Sequence, residues 1–217
     1  MRQQRNSHKA VERVELVQEV IEGDCLEIMR GFKDKQFDLV LTDPPYGLPN
    51  EDFDMVRESL VEMRRVSKMQ IIILDWRNPL TVEDGKFAEI VWEYGWISGG
   101  RTKSNHFYPT HNTIHFLGED MFSFDTKEGS IIKRRAGFSS PRQCSYAKKS
   151  GHPFEKPVKL MQYLLDRSDA KTILDPFMGS GTTLVAAKYL NRNATGIEIS
   201  PKYCEIARTR LSQEMLF

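Results

Sequence analysis

The chain has 217 residues, of which 40% are hydrophobic and 28% are charged, and this length can bury one sizeable α/β core. Its 31 basic and 30 acidic residues almost cancel, which excludes a global polycation, so any nucleic-acid surface must be local. No apolar run is long enough to span a bilayer and the N-terminus lacks a signal-peptide core, so we expect a soluble cytoplasmic protein. Cys25, Cys144 and Cys204 lack disulfide or metal spacing and are expected to be reduced.

Apolar periodicity begins near residue 15. Residues 1–14 are predicted to form a basic tail, and residues 15–217 a single domain in which strands alternate with helices. The patterns in the first half predict strands at 16–21, 37–42 and 69–74, a short helix at 25–31, and an amphipathic helix through Phe53, Val56, Leu60 and Met63.

The middle of the chain continues the alternation. The spacing of Phe87, Ile90, Val91 and Tyr94 places them on one helical face and predicts a further helix. Strands are predicted near residues 96–102 and 113–117.

The second half begins with Pro157, which suits the first position of a helix. The patterns then predict a buried helix face with Leu160, Met161, Leu164 and Leu165, a strand at 172–174, a helix at 184–190, a strand at 193–199, and a last helix with Tyr203, Ile206, Ala207 and Leu211. Together these elements predict a mostly parallel, twisted sheet with helices on both faces.

The run Asp43-Pro44-Pro45-Tyr46 directly follows a predicted buried strand. In open α/β sheets, ligands bind beyond the carboxyl ends of the strands. The prolines lack N–H groups, and Pro45 holds Pro44 in an extended conformation, so the loop offers acceptor oxygens without competing backbone donors. The loop therefore suits a planar ligand with an amino group, which could stack on the Tyr46 ring. The simpler alternative is an Asp-Pro-Pro turn in which Tyr46 only packs.

Residues 119–150 interrupt the alternation of strands and helices with a basic excursion. Basic side chains interleaved with Phe138 and Tyr146 suit phosphate contact and base stacking, although a solvated loop is the alternative. The candidate nucleic-acid contacts in this excursion are Lys133, Arg134, Arg135, Arg142, Lys148 and Lys149.

A second candidate site follows the strand at 172–174. The run Asp175-Pro176-Phe177-Met178-Gly179-Ser180-Gly181-Thr182-Thr183 leads into a helix, and Glu198 ends the next strand. Glycines allow close approach of the backbone to a ligand at a helix N-terminus, and an acidic residue about 20 positions later typically binds ribose hydroxyls. The run lacks a P-loop lysine and the third glycine of dinucleotide folds, so S-adenosylmethionine, a nucleoside without pyrophosphate, is the favoured ligand.

The histidines give no metal signature. His106, His111 and His115 lie near a predicted strand, without a carboxylate or cysteine partner that converges on the same face. We therefore expect no metal site.

The motifs taken together resemble those of the amino-directed DNA methyltransferases, in the permuted β-class order. In that order the Asp43-Pro44-Pro45-Tyr46 motif precedes the cofactor motif. Gly23-Asp24-Cys25-Leu26 and His152-Pro153-Phe154-Glu155-Lys156-Pro157 also resemble motifs of this class. The resemblance covers the chain from about residue 15. It implies a circularly permuted, Rossmann-like S-adenosylmethionine-dependent fold.

The resemblance also implies roles for individual residues. Asp43 and the Pro44 carbonyl would hold the target amino group, and Tyr46 would stack on the flipped base. Lys156 would meet the methionine carboxylate. The implied cofactor-binding residues are Asp24, Cys25, Asp43, His152, Lys156, Asp175, Phe177, Gly179, Ser180, Gly181, Thr182 and Glu198. His111-Asn112 departs from the His-Glu of many relatives. Trp76 is expected to pack in the core, and the alternative is a position near the base.

The expected activity is methyl transfer to adenine N6 in double-stranded DNA, with cytosine N4 as the alternative. A non-catalytic DNA- or nucleoside-binding module is the alternative from another class. The compact basic excursion suggests a short or relaxed recognition site that a homodimer could read, as in restriction-modification systems.

Overall fold

The structure, a computed structural model, describes residues 16–45, 50–75, 80, 86–93, 111–118, 122–123, 131–132 and 155–213. Its strands are β1 (Gln18–Glu22), β2 (Phe37–Thr42), β3 (Ser67–Asp75), β4 (Lys86–Glu93), β5 (His111–Leu117), β6 (Ile131–Ile132), β7 (Thr172–Asp175) and β8 (Asn193–Glu198). Its helices are α1 (Cys25–Arg30), α2 (Asn50–Val66), α3 (Val158–Leu165), α4 (Thr182–Tyr189) and α5 (Pro201–Ser212).

The described strands form one sheet in the order β1-β8-β7-β2-β3-β5-β4-β6. The first five strands of this order are mutually parallel, whereas β5 runs antiparallel to both β3 and β4. The prediction of a mostly parallel sheet is therefore confirmed. Beyond β3, strand β5 is antiparallel to both of its neighbours. Among the described residues, no helix is long and apolar enough to cross a membrane.

Hydrophobic residues cover both faces of the parallel block. Successive side chains of a strand point to opposite faces, and consecutive residues of these strands are apolar. Leu39 and Leu41 of β2 join the core beneath α3, α4 and α5, while Val40 joins the core beneath α1 and α2. The sheet is therefore the middle layer of three.

The strand order reverses between β2 and β7, which are neighbours at the centre of the sheet. From β2 the chain passes through α2 to β3 on one side, and from β7 it passes through α4 to β8 on the other. The two connections leave in opposite directions, which opens a crevice beyond the carboxyl ends of β2 and β7. Both sequence-predicted site loops begin at this crevice.

Asp38 fixes the opposite end of these two strands. Its Oδ2 accepts hydrogen bonds from the Lys171 amide at 3.0 Å and the Thr172 amide at 3.1 Å, and its Oδ1 pairs with Lys68 Nζ at 2.7 Å. Burial acts to raise the pKa of Asp38, but Lys68 and the backbone donors outweigh burial and lower it to about 2. The interaction links β2 to β3 and β7 at the end away from the crevice.

The helix predicted through Phe87, Ile90, Val91 and Tyr94 was wrong, because residues 86–93 form strand β4. Its side chains alternate, with Ile90 and Trp92 buried between more exposed neighbours, and its backbone pairs with β5. The helical spacing coincided with a period-2 pattern of β-branched and aromatic residues, and strand pairing decided between them.

The remaining sequence-based elements agree with the structure to within a few residues, with one difference at α3. Pro157 is the N-cap of α3 and not its first helical residue. The predicted strand at 96–102 lies outside the described residues, as do the 1–14 tail and nearly all of the 119–150 excursion.

Candidate functional site

Asp175 joins the elements that flank the crevice. It ends β7, and its Oδ1 accepts hydrogen bonds from Thr42 Oγ1 at 2.7 Å and from the Phe177 amide at 3.1 Å. Its Oδ2 accepts from Thr183 Oγ1 at 2.5 Å. One carboxylate therefore connects the last residue of β2, the turn after β7 and the first turn of α4.

This carboxyl group is only 3% exposed, and burial raises its pKa to about 6 in spite of the donors from Thr183, Thr42 and Phe177. The nearby negative charge of Asp43 acts in the same direction as burial. A raised pKa with specific partners in a crevice is typical of functional sites.

The glycine-rich turn between β7 and α4 approaches its neighbours closely. Gly181 is the N-cap of α4 with φ at +78°, and a Cβ there would lie 2.8 Å from the Ala207 Cβ. At Gly196 of the adjacent β8, a Cβ would lie 2.4 Å from the Met178 sulfur beneath the turn. A side chain at either position would displace the turn. Because both residues are glycines, the turn packs closely against α5 and β8, and its backbone lies at the N-terminus of α4, where N–H groups favour a ligand.

Glu198, at the end of β8, lies beside this turn. Its Oε2 accepts a hydrogen bond from the Gly179 amide at 3.1 Å, and its Oε1 accepts from the Ser200 amide at 2.8 Å. Its carbonyl accepts from the Gly23 amide at 3.0 Å, which brings the Asp24 region to the same edge. Each carboxylate oxygen can accept a further hydrogen bond, so Glu198 is still able to bind ribose hydroxyls. The ribose contact itself stays a prediction.

Asp24 and Cys25 have structural roles in the described contacts. Asp24 Oδ1 caps α1 by accepting from the Leu26 and Glu27 amides at 2.9 and 3.0 Å. The Cys25 thiol is buried and lies 3.8 Å from Ser59 Oγ on α2, and burial raises its pKa. The thiol thus faces α2 and is not activated as a nucleophile.

Asp43 and Lys156 form an ion pair across the crevice. Asp43 Oδ2 pairs with Lys156 Nζ, and the two side chains are 19% and 8% exposed. Asp43 Oδ1 is buried and accepts no hydrogen bond within the described part of the chain. Burial raises the pKa of Asp43, while Lys156 acts in the opposite direction and favours the carboxylate.

The clamp predicted at Asp43, Pro44 and Pro45 stays a prediction. Pro44 is buried and Pro45 is exposed, and the buried Oδ1 of Asp43 provides an acceptor that requires a donor. Tyr46 and His152 lie outside the described residues, and so do Trp76 and all six candidate basic residues of the excursion.

Sequence reasoning missed a second ion pair at this site, which is partly buried. Arg210 Nη2 in α5 lies 2.9 Å from Glu155 Oε1, and Arg210 Nη1 donates to the Ser180 carbonyl at 2.8 Å. Arginine in a last helical turn is also favoured by the helix dipole alone, so the sequence carried no signal for this contact. Thr42 was missed for a similar reason, since its sequence context indicates only a strand residue.

No group of metal-ligating side chains occurs among the residues that the structure describes. His115 is fully buried on β5, with Nδ1 3.3 Å from Glu89, and Asn112 donates to the Leu74 carbonyl at 3.1 Å. His106 lies outside the described part of the chain.

Comparison with known proteins places this arrangement in a family. Residues 52–209 match the DNA methylase family of N6 and N4 methyltransferases. The chain belongs to this family. The match runs from α2 to α5 and includes Lys156, Asp175, the glycine-rich turn and Glu198, whereas Asp43 precedes it.

Individual relatives agree with this assignment. The chain is 25% identical to the type II methyltransferase M.HpaI of Haemophilus parainfluenzae, over 91% of this chain and 75% of that protein. The fold resembles the crystal structure of the M1.HpyAVI–SAM complex, with a TM-score of 0.68, 23% identity and coverage of 91% of this chain and 100% of that one. It also resembles the cytosine-N4-specific PvuII DNA methyltransferase, with a TM-score of 0.72, 15% identity and coverage of 93% and 88%.

Proposed function

We propose that the protein transfers a methyl group from S-adenosylmethionine to N6 of an adenine that is flipped out of double-stranded DNA. The observation that carries the proposal is Asp43 Oδ1 at the switch point, which is buried near Asp175 and accepts no hydrogen bond from the described residues. Aspartate in the first position of this motif is typical of adenine enzymes among the proteins that the chain resembles.

The described residues suit S-adenosylmethionine. The glycine-rich turn has no side chain at its two glycines, and Glu198 lies beside it as an acceptor for hydroxyl groups. Glu155 Oε2 is a buried acceptor that receives no hydrogen bond from the described residues, so it matches the ammonium group of this ligand, and Lys156 matches its carboxylate. When bound, the cofactor supplies an electrophilic methyl group on a sulfonium.

Asp43 and the Pro44 carbonyl bind the amino group of the target base and make its nitrogen a better nucleophile. An exocyclic amino group is a poor nucleophile because its lone pair is delocalised into the ring. Two acceptors that take its two N–H bonds favour a pyramidal nitrogen whose lone pair is directed away from the ring. The same acceptors stabilise the positive charge that develops on the nitrogen during transfer. The contribution is positioning and electrostatics, with no covalent intermediate on the protein.

Lys156 assists by favouring the ionised form of Asp43, against the larger effect of burial. Burial disfavours the Asp43 carboxylate, and a protonated Asp43 would have one acceptor oxygen fewer. The ammonium of Lys156 on Oδ2 offsets this effect and leaves Oδ1 free to accept. The basic excursion is the proposed site of duplex contact, and flipping the base costs a few kcal/mol that stacking on Tyr46 would partly recover.

The decisive experiment is to incubate the purified protein with unmethylated DNA and S-adenosylmethionine, and to quantify modified nucleosides by mass spectrometry. N6-methyladenine is the expected product. N4-methylcytosine would replace the proposed substrate but retain the mechanism, because cytosine presents the same pair of N–H donors. Cofactor binding without any modified base would instead favour a non-catalytic binding module.

Asp43→Asn provides the first mechanistic test. The amide retains the size of the side chain but replaces one acceptor oxygen with a donor and removes the charge. We expect the single-turnover rate to fall by at least roughly 100-fold, the scale expected on removal of one preorganised electrostatic interaction. Calorimetry should show S-adenosylhomocysteine affinity within about threefold of wild type. Full activity in the variant would refute the role of Asp43.

A further inference from the structure

Arg210 connects the glycine-rich turn to the segment that carries Lys156. Its Nη1 donates to the Ser180 carbonyl at 2.8 Å, to Ser180 Oγ at 2.9 Å and to Thr182 Oγ1 at 3.2 Å. Its Nη2 lies 2.9 Å from Glu155 Oε1. A single guanidinium from α5 thus contacts the turn on one side and residue 155 on the other.

The ion pair of Arg210 with Glu155 is partly buried. The Arg210 and Glu155 side chains are 18% and 15% exposed, and burial lowers the pKa of Arg210 while Glu155 acts to raise it. Burying two charges is costly unless their hydrogen bonds are satisfied, so such pairs define geometry more than they add stability. The planar fork of arginine fixes the two contacted segments relative to one another in a way that a lysine could not.

The segment after Glu155 is stiff, so the position of Glu155 determines that of Lys156. Pro157 follows Lys156 and caps α3 with φ at −62° and ψ at 131°. A residue before proline is restricted to extended backbone conformations, which limits how Lys156 can move independently of its neighbours. Lys156 Nζ in turn pairs with Asp43 Oδ2. The contacts form one continuous chain from Ser180 through Arg210, Glu155 and Lys156 to Asp43.

We propose that Arg210 is a positioning residue, which sets the separation between the glycine-rich turn and Lys156 and thereby the orientation of the Asp43 carboxylate. This inference rests on the proposed function, in which the turn holds the methyl donor and Asp43 holds the acceptor amino group. Methyl transfer depends steeply on the alignment of donor and acceptor. Arg210 contacts neither ligand in this scheme and acts through Lys156.

Arg65 offers a matched control for a purely structural role. It also makes several hydrogen bonds, donating to the Met29 carbonyl at 2.7 Å and the Phe32 carbonyl at 2.8 Å, and it pairs with Asp34 and Glu62 at 2.8 Å each. It joins α1 to α2 without contacting the glycine-rich turn, Lys156 or Asp43. Arg65→Met should therefore lower the thermal midpoint without affecting the ligand sites.

The test compares Arg210→Met, Arg210→Lys, Glu155→Gln and Arg65→Met in the full chain. Calorimetry measures the affinity for S-adenosylhomocysteine, which requires no turnover. Single-turnover methylation of DNA as a function of pH reports the ionisation of Asp43, which faces Lys156 on one side and the negative charge of Asp175 on another. Thermal unfolding reports stability.

We expect Arg210→Met to weaken S-adenosylhomocysteine binding about tenfold, as expected when a charged hydrogen-bond network is removed. The acidic limb of its rate profile should move upward by about one pH unit, because a displaced Lys156 stabilises the Asp43 carboxylate less well. Glu155→Gln should reproduce the shift of the limb, and Arg210→Lys should restore part of the affinity. If Arg210→Met does not fold, the affinity and the acidic limb are compared with wild type in Arg210→Lys and Glu155→Gln.

Unchanged affinity together with an unchanged acidic limb in Arg210→Met would overturn the proposal, and so would equal changes in Arg65→Met. A wild-type protein that binds S-adenosylhomocysteine but methylates no DNA would refute the proposed function separately. In that case a weakened affinity in the Arg210 variants, with no change in Arg65→Met, would still support the positioning role.

Discussion

The Asp43–Lys156 pair is the contact on which the proposed chemistry depends most directly. Lys156 is 8% exposed, and its partner is a carboxylate whose other oxygen is buried and has no donor in the part of the chain that the structure describes. The pair is therefore asymmetric, since one oxygen is neutralised while the other stays available. This asymmetry is the reason that the cation can favour ionisation of Asp43 without blocking the acceptor.

Lys156→Met should shift the pH dependence of methyl transfer. Without the ammonium, burial acts on Asp43 unopposed and raises its pKa further, so a larger fraction is protonated at a given pH. The acidic limb of the single-turnover rate should therefore move to higher pH. Lys68→Met is the control, because Lys68 pairs with Asp38 away from the crevice, and its profile should match wild type.

Asp175 should make stability fall as the pH rises. The folded protein binds the Asp175 proton more tightly than the unfolded chain, since the pKa is about 6 in place of 3.8. This group therefore favours the folded state below about pH 4, and that contribution disappears as the pH rises through about 6, by ~3 kcal/mol. Urea unfolding at pH 4 and pH 7 should show this decrease in wild type but not in Asp175→Asn.

Asp38→Asn is the companion to that experiment. The pKa of Asp38 is lowered to about 2, so its contribution to stability is present above about pH 4 and disappears as the pH falls toward 2. The two variants should alter different pH windows of the unfolding free energy. If Asp175→Asn kept the wild-type slope between pH 4 and pH 7, another group would be responsible for it.

At the scale of elements, the residues that pack against the turn between β7 and α4 determine its conformation. Gly181 lies against Ala207 of α5, and the Gly179 amide is held by Glu198 of β8. The turn is thus shaped by two elements that follow it in the chain. Its conformation belongs to the packed βαβ unit and not to the glycine motif alone.

Gly181→Ala should disrupt this turn. The positive φ and the 2.8 Å approach of the added Cβ to Ala207 combine conformational strain with a clash, at a cost of about 1–3 kcal/mol or more. Affinity for S-adenosylhomocysteine should fall more than tenfold in calorimetry. Gly31→Ala is the matched control, because Gly31 has φ at −78°, so it should affect stability only slightly and affinity not at all.

At the scale of the whole molecule, the sheet order creates the site. Asp43 and Asp175 are 132 positions apart in sequence, yet β2 and β7 are adjacent and their following loops meet. Thr42 and Asp175 are hydrogen-bonded across this junction. The last βαβ unit of the chain thus begins at the centre of the sheet, and the circular permutation that the motif order implied stays a prediction.

DNA binding should depend on the basic excursion in a salt-dependent way. The net charge of the chain is only +1, so local clusters must supply the contacts to phosphate. Replacing both Arg134 and Arg135 with alanine should weaken DNA binding and reduce the slope of log affinity against log salt by roughly 0.9 for each phosphate that is no longer neutralised. Fluorescence anisotropy at several salt concentrations would measure this, and an unchanged slope would exclude a role for these residues in binding phosphate.

Several features of the fold and the site could be predicted from the sequence. The apolar strand before Asp43, the apolar strand that ends in Asp175, and the glycine-rich turn with Glu198 indicated the parallel block and its two loops, because local periodicity and turn chemistry act over short stretches. The helical interpretation of residues 86–93 failed because strand pairing with β5 overrode a local pattern.

The tertiary structure alone decided which polar and charged groups contact one another. The ion pair of Asp43 with Lys156, the hydrogen bonds of Asp175 with Thr42, and the contacts of Arg210 with Ser180 and Glu155 join segments that are distant in sequence. No local pattern encodes these contacts, because they follow from the order of the strands and from the helices that bring buried charges together. The sequence determined the types of chemical group, while packing determined their partners and, through burial, the pKa values of Asp43 and Asp175.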